Sequence, residues 1–232
     1  MAASEHDAEP VVLLHGLKRT RYSMNKIARG LDKAGFHTCN ITYPSNRLPA
    51  VELVAFIRDE ISRCFGDTTV PVKFVTHSMG GIMVRALAAT GGTPRMGRVV
   101  MIAPPNHGSE IVDLHGNSAL FRWLMGEVAT QLGTGANSLP LRLGPAEFEV
   151  GVIAGEGLSN PMGLWVFDEP NDGTVAVRST RLAGMSDFIV VPYGHTLIMR
   201  KPRVIEEVIH YFQHGVFSPR YREWAKDSQS GD

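Results

Sequence analysis

Residues 72–89 change hydrophobic period in mid-run, and the change is packed into the hexapeptide T-H-S-M-G-G at 76–81. Val72, Lys73, Phe74 and Val75 are β-prone and mostly apolar, whereas Ile82, Met83, Ala86 and Leu87 recur at helical spacing on a face that can lie against a sheet. A chain passing from strand to helix within so few residues must turn sharply, and Gly80 and Gly81 let the two backbones approach each other. Ser78 falls at that turn. The unpaired amides of the helix's first turn and its positive dipole end then face any negative charge that develops beside the hydroxyl, which suits a nucleophile. The pattern G-x-S-x-G is met except at its first glycine, where Thr76 stands. A serine capping an ordinary helix fits the same six residues, so the motif needs support from elsewhere in the chain.

Support comes from both directions. Val11-Val12-Leu13-Leu14 has buried-strand character and ends at His15-Gly16-Leu17, and an H-G pair after a central strand commonly supplies a backbone N–H to an oxyanion. Downstream, Asn171-Asp172-Gly173-Thr174-Val175 places a carboxylate in a turn, and Val190-Val191-Pro192-Tyr193-Gly194-His195 ends a strand at a histidine. A serine hydroxyl is a weak nucleophile at neutral pH and needs a base to take its proton and an acid to fix the base's tautomer. Of nine histidines, His195 is preferred as base because it follows the last strand, is released by Gly194 and precedes the terminal helix. His77 is expected to point away from the serine, and His15 to pack beneath the H-G loop. His107 and His115 read as solvated loop residues. His210 and His214 have the i, i+4 spacing of a metal pair but no third ligand, so they read as an exposed pair. For the acid, Asp172 is preferred over Asp168, Glu169 and Asp187. Gly173 permits a tight turn after it, whereas Asp187 begins a strand and should lie at the far end of the sheet. The order is Ser78, Asp172, His195, unlike that of the chymotrypsin or subtilisin types.

On these residues the chain resembles a small α/β-hydrolase of the bacterial lipase and esterase type, in which A-H-S-M-G-G elbows are common and Thr76 here replaces the alanine. The likeness runs from Val11 to about His214. It implies catalysis by Ser78, His195 and Asp172, with the backbone amides of Leu17 and Met79 forming the oxyanion hole. The implied reaction is hydrolysis of a small-molecule carboxylic ester through an acyl-enzyme, for short to medium acyl chains and with no metal or organic cofactor. A thioesterase, amidase or acyltransferase would use the same triad, and a non-catalytic binding protein on this fold is the alternative from another class. Trp123, Met125 and Ile198 are the expected substrate-binding side chains.

The rest of the chain alternates strand and helix. Strands are expected at 10–15, 37–43, 71–76, 97–103, 148–154 and 187–192, and helices at 22–35, 49–65, 79–90 and 200–213. Such alternation predicts an α/β fold, a mostly parallel six-stranded sheet covered by helices on both faces, with the ligand site beyond the carboxyl ends of the strands. Residues 104–147 break the rhythm. This excursion, with a helical stretch at 120–132, reads either as a small cap over an acyl pocket or as cover for a sheet edge. At 232 residues one domain is the simplest organisation, with a frayed polar tail over 218–232. The 23 basic and 23 acidic residues cancel, and without a basic block interleaved with aromatics no nucleic-acid partner is expected. The apolar runs are too short to span a membrane. Residues 1–7 carry no secretory-signal pattern, and Cys39 and Cys64 read as separate thiols, which together suggest a cytoplasmic setting.

Overall fold

The computed structural model describes residues 8–91, 95–116, 118, 125–157 and 166–219. Six strands form one sheet: β1 (Pro10–Leu14), β2 (His37–Ile41), β3 (Val72–His77), β4 (Met96–Ile102), β5 (Val150–Gly155) and β6 (Asp187–Val191). Their order is β2-β1-β3-β4-β5-β6, and every neighbouring pair is parallel. The three strands β1, β3 and β5 are buried at every residue, including Lys73, Thr76 and His77 of β3, as strands covered on both faces are. Edge strands β2 and β6 keep partly exposed positions.

Successive residues along a strand face opposite ways, so each strand feeds two cores. On one face Val12, Leu14 and Phe74 pack with α2 (Ala50–Phe65) and α3 (Met79–Ala89), chiefly through Leu53, Ile57, Ile82 and Met83. On the other, Val11, Leu13 and Val75 meet Ile27 and Leu31 of α1 (Asn25–Lys33) and Val208 and Phe212 of α8 (Pro202–His214). The last helix begins with Pro202 at its first position and ends at Gly215, whose φ of 76° lets its N–H return to the Tyr211 carbonyl at 2.8 Å. From β1 the chain first builds outward to β2, then crosses back to β3 and builds the other way. The reversal leaves a crevice between the carboxyl ends of β1 and β3, where doubly wound sheets bind ligands.

The excursion contains α4 (Glu110–His115), α5 (Glu127–Thr130) and α6 (Leu139–Arg142); α7 (Val177–Thr180) follows the turn after β5. Val128, Leu132 and Leu139 join the core of α2 and α3. Arg85 of α3 fastens them there: its guanidinium donates to Asn106 Oδ1 at 3.1 Å, the Pro140 carbonyl at 2.8 Å and the Gly144 carbonyl at 2.7 Å. Burial lowers its pKa to about 10, so it remains charged at neutral pH. Part of the expected helix at 120–132 lies outside the described residues, and what is described of it is the short α5.

The expectation of separate thiols is corrected. Cys39 and Cys64 form a disulfide between β2 and the end of α2, their Cα atoms 6.2 Å apart, within bridging reach. The helix runs back over the sheet and returns its last turn to the edge strand, a meeting of residues that spacing alone does not reveal. The suggestion of a reducing compartment loses its basis with the free thiols. Ser218 is also not frayed, because its N–H donates to Glu207 Oε2 at 2.8 Å; the tail beyond 219 lies outside the described residues. No helix among the described residues is long and apolar enough to cross a membrane.

Candidate active site

Ser78 stands between the last residue of β3 and the first of α3 with φ 53° and ψ −125°, a conformation that costs a non-glycine residue about 1–3 kcal/mol. Its neighbours impose it. The Ser78 N–H is tied to the Ile102 carbonyl and the Gly81 N–H to the Ser78 carbonyl, both at 2.9 Å. A Cβ on Gly80 would lie 2.6 Å from the Leu14 carbonyl oxygen, so only glycine lets α3 press onto the end of β1. A Cβ on Gly81 would meet Pro104 Cβ at 3.0 Å and Thr76 Oγ1 at 3.4 Å. The bulk of Thr76 is thus accommodated beside a glycine, buried within β3, with its hydroxyl unpartnered among the described residues.

The three residues picked out by their order in the chain meet in space. His195 Nε2 is 3.0 Å from Ser78 Oγ, and His195 Nδ1 is 2.6 Å from Asp172 Oδ2. Asp172 is fully buried and its second oxygen accepts from the Thr174 and Val175 amides at 3.0 and 2.8 Å. These bonds fix the plane of the carboxyl group. Gly173, at φ 90°, makes the turn, and Asn171 Oδ1 accepts from its N–H at 2.9 Å. The His195 N–H donates to the Asp172 carbonyl at 2.9 Å, so the two loops are joined through backbone as well as side chain. Asp168 is exposed. Asp187 sits at the opposite end of β6, accepting from the Phe188 and Phe217 amides.

The H-G loop is fixed by an aromatic and hydrogen-bonded clasp. His15 stacks on Tyr43 with ring centroids 4.2 Å apart, its Nδ1–H donates to the Gly16 carbonyl at 2.8 Å, and its Nε2 accepts from the Tyr43 N–H at 3.2 Å. The Tyr43 hydroxyl donates to the His15 carbonyl. Burial lowers the His15 pKa, which suits a neutral ring with one donor and one acceptor. A Cβ on Gly16 would stand 3.0 Å from His77 Nδ1 and 3.2 Å from Ser78 Cβ, so the loop rides directly on the elbow. Among the described residues, the amides of Leu17 and Met79 have no hydrogen-bond acceptor.

His77 does not turn away from this cluster, as side-chain alternation along β3 suggested. Its ring lies 4.8 Å from that of His195, and its Nε2–H donates to the His195 carbonyl at 3.0 Å. Burial first, then the neighbouring His195, holds its pKa well below the ordinary histidine value. Sequence reasoning missed this contact because the partner is a main-chain carbonyl on a loop 118 residues away.

A cavity of about 210 Å³ opens on Ser78 and His195. Leu17, Met79, Ile111, Val112, Met125, Leu132 and Val175 give it apolar walls; Arg19, Ser109 and Thr174 also line it. Of the expected substrate-binding residues, Met125 is in this wall. Ile198 is not: it is fully buried in the core beneath the sheet with α1 and α8. Trp123 lies outside the described residues. His107 and His115 are exposed and do not line the cavity. His210 and His214 pair ring to ring at 4.3 Å, and among the described residues no third metal-ligating side chain joins them. A larger open groove, about 1090 Å³, lies at the amino ends of β3 and β4. Its described lining residues include no serine, histidine or cysteine.

No family model matches the sequence, and no curated protein matches it either. Solved structures do match. The mature form of the Bacillus licheniformis lipase BlEst2 superposes with a TM-score of 0.67 at 19% identity, covering 86% of this chain and 89% of that one. The phospholipase PlaB from Legionella pneumophila gives 0.69 at 18% identity over 95% of this chain, which spans 63% of PlaB. The metagenomic carboxyl esterase MGS0156 gives 0.69 at 15% identity, covering 89% and 76%. At such identities the likeness carries architecture alone, and that architecture is the α/β-hydrolase fold.

Proposed function

We propose that this protein is a serine hydrolase of carboxylic esters with short to medium acyl chains. The observation that carries the reading is the continuous run from Ser78 Oγ through His195 to the buried Asp172, together with the amides of Leu17 and Met79, which have no acceptor among the described residues. Ser78 Oγ attacks the ester carbonyl as its proton passes to His195 Nε2. Asp172 holds the ring with Nδ1 protonated and stabilises the imidazolium that forms. The carbonyl oxygen, now negative, lies between the Leu17 and Met79 amides, aided by the dipole of α3. His195 returns its proton to the departing alkoxide; a water molecule then repeats the sequence on the acyl-enzyme and frees Ser78. The matched structures include a lipase, a phospholipase and a carboxyl esterase, in keeping with ester chemistry on this fold.

The short-chain preference rests on the cavity. At about 210 Å³ it falls below the roughly 300–1,000 Å³ usual for drug-sized ligands. Labelling by a fluorophosphonate probe and turnover of p-nitrophenyl esters of graded length test the proposal together. Both are expected in the parent and lost in Ser78→Ala, with turnover falling by about 10³–10⁶-fold. Near-parental turnover in that variant ends the serine-hydrolase reading.

A further inference from the structure

The charges around the site are not mixed as they are in the chain as a whole. The loops leaving β1, β2 and β6, residues 15–24, 42–49 and 192–201, carry Lys18, Arg19, Arg21, Arg47, Arg200 and Lys201 and not one aspartate or glutamate. In a chain with 23 residues of each sign, that is a local excess at one rim. None of these cations forms an ion pair with a described residue. Carboxylates at this end flank those loops: Glu52 in the first turn of α2 and Glu156 and Asp168 after β5 are exposed, while Glu110 and Glu169 are engaged by Arg178 and Asp113 accepts from Thr134. The loops after β1 and β6 share a flank, because the turn Ile198–Arg200 packs on α1, the helix that follows the first of them.

Arg19 brings this basic rim into the site. It lines the same cavity as Leu17, Ser78 and His195, and its charge contributes to keeping His77 neutral. Its N–H is held by the Gly16 carbonyl at 3.1 Å, so its backbone is fixed to the H-G loop while its side chain is exposed. Ile111, Val112, Met125 and Leu132, all apolar, line the same cavity. The serine therefore shares its cavity with apolar side chains and one guanidinium.

We propose, building on the hydrolase reading, that the substrate is an ester whose alcohol portion carries an anionic group, a phosphate or a carboxylate, bound by the Arg19 guanidinium while the acyl chain lies against the apolar side chains. A guanidinium offers two parallel N–H donors to such an anion, and nearby cations reinforce it by raising the local anion concentration. The bonds made and broken are those of ester hydrolysis. The Ser78 Oγ to acyl carbon bond forms, the ester C–O bond breaks, and the alcohol leaves with the His195 proton and its anion still on Arg19.

The test uses the whole chain and butyrate esters of matched phenols: para-carboxyphenyl against para-carbamoylphenyl butyrate, with the phosphate-bearing phenyl butyrate as a further arm. At low ionic strength the ratio of kcat/KM, anionic over neutral, is expected to be about 2–5, carried by KM, as befits an exposed charged pair. It should fall towards 1 in Arg19→Gln, be partly kept by Arg19→Lys, and shrink near 1 M salt. A larger ratio in the phosphate arm names phosphate as the anion. A ratio at or below 1 in the parent, or one that Arg19→Gln leaves intact, overturns the proposal while the hydrolase reading stands. Failure of the parent to cleave any of the esters overturns both.

Discussion

The elbow at 76–81 and the excursion at 104–147 both border the cavity, yet they are held in place by different physics. At the elbow the constraints are steric and short. Gly80 and Gly81 sit where any Cβ would strike the Leu14 carbonyl or Pro104, and Ser78 is forced to a positive φ. Among the described residues, the other non-glycine residues with positive φ, Lys18 and Ala103, follow β1 and β4, so backbone strain gathers at the carboxyl end of the sheet. The excursion has tight glycines of its own, Gly108 and Gly126, where a Cβ would strike the Gly133 and Asn46 carbonyls, but it is tied besides by long-range side-chain bonds: Arg85 to three backbone segments, the Ser109 hydroxyl to the Thr174 carbonyl, Asn106 Nδ2 to the Thr180 carbonyl. Steric constraints restrict residue type locally and leave a motif. A guanidinium meeting distant carbonyls leaves none.

If the elbow and its triad form one chemical unit, the largest effect comes from breaking the tautomer of the base. Asp172→Asn is expected to lower kcat by about 10⁴ while the fold persists, and Asp168→Asn to change it by less than about twofold, as an exposed carboxylate should. Steady-state kinetics on one p-nitrophenyl ester decide it, and the reverse ranking would move the acid four residues upstream. The excursion should respond in stability rather than in chemistry. Arg85→Met strands the Pro140 and Gly144 carbonyls and removes the charged clasp, for a loss of about 3 kcal/mol. For a chain of this size that lowers Tm by about 6–12 °C. Thermal unfolding measures it, and an unchanged Tm would show that apolar packing of Val128, Leu132 and Leu139 suffices.

His77 belongs to the elbow by sequence and to His195 by contact, so it sharpens the boundary. His77→Phe removes the donor to the His195 carbonyl and is expected to lower kcat by about 10–100-fold with KM little changed. His77→Gln, which can place an amide N–H near the same carbonyl, should recover part of the loss. The same residue sets a pH signature. Its folded pKa lies below that of the unfolded chain, so below about pH 6.5 the unfolded state takes up a proton that the folded state refuses. Stability is then whole above that pH and is lost as pH falls, with a slope approaching about 1.4 kcal/mol per unit from this group. Denaturation curves between neutral and mildly acidic pH should show His77→Gln losing less stability on acidification than the parent; parallel curves would mean that His77 is already protonated when folded.

Much of the architecture was legible because it rests on periodicity. All six strands and the helices α1, α2, α3 and α8 fall where apolar spacing places them, with boundaries shifted by up to three residues. The Ser78, Asp172 and His195 positions were legible because each is a loop residue after a strand, marked by an adjacent glycine or turn. What escaped depends on tertiary contact without local pattern. Cys39 and Cys64 meet only because α2 folds back over β2. Ile198, apolar and three residues after His195, reads like a pocket residue, yet the turn at Ile198–Arg200 directs it into the core. Arg19 reads as one charge in a polar loop, and only the cavity gives it a neighbour to act upon.

The smallest expected effect asks whether the excursion wall does for the acyl chain what the elbow does for the carbonyl. Each methylene that the wall shields adds about 0.8 kcal/mol, which is about fourfold in kcat/KM while the chain still fits. With about 210 Å³ available the rise should stop early, giving an optimum at short to medium chains and no jump when substrate passes from dissolved monomer to emulsion. Leu132 is buried and lines both the cavity and the core, so it is the residue at which to test that limit. Leu132→Ala removes part of that wall and is expected to move the optimum to a longer chain by one or two carbons, with the rate on the shortest ester falling by less than about tenfold. If the optimum stays fixed while stability alone drops, Leu132 serves the core and the acyl chain lies along another wall. If long-chain triglycerides in emulsion are cleaved faster than short dissolved esters, the shallow-cavity model fails and the excursion opens during turnover, a motion that the Arg85 clasp would then have to permit.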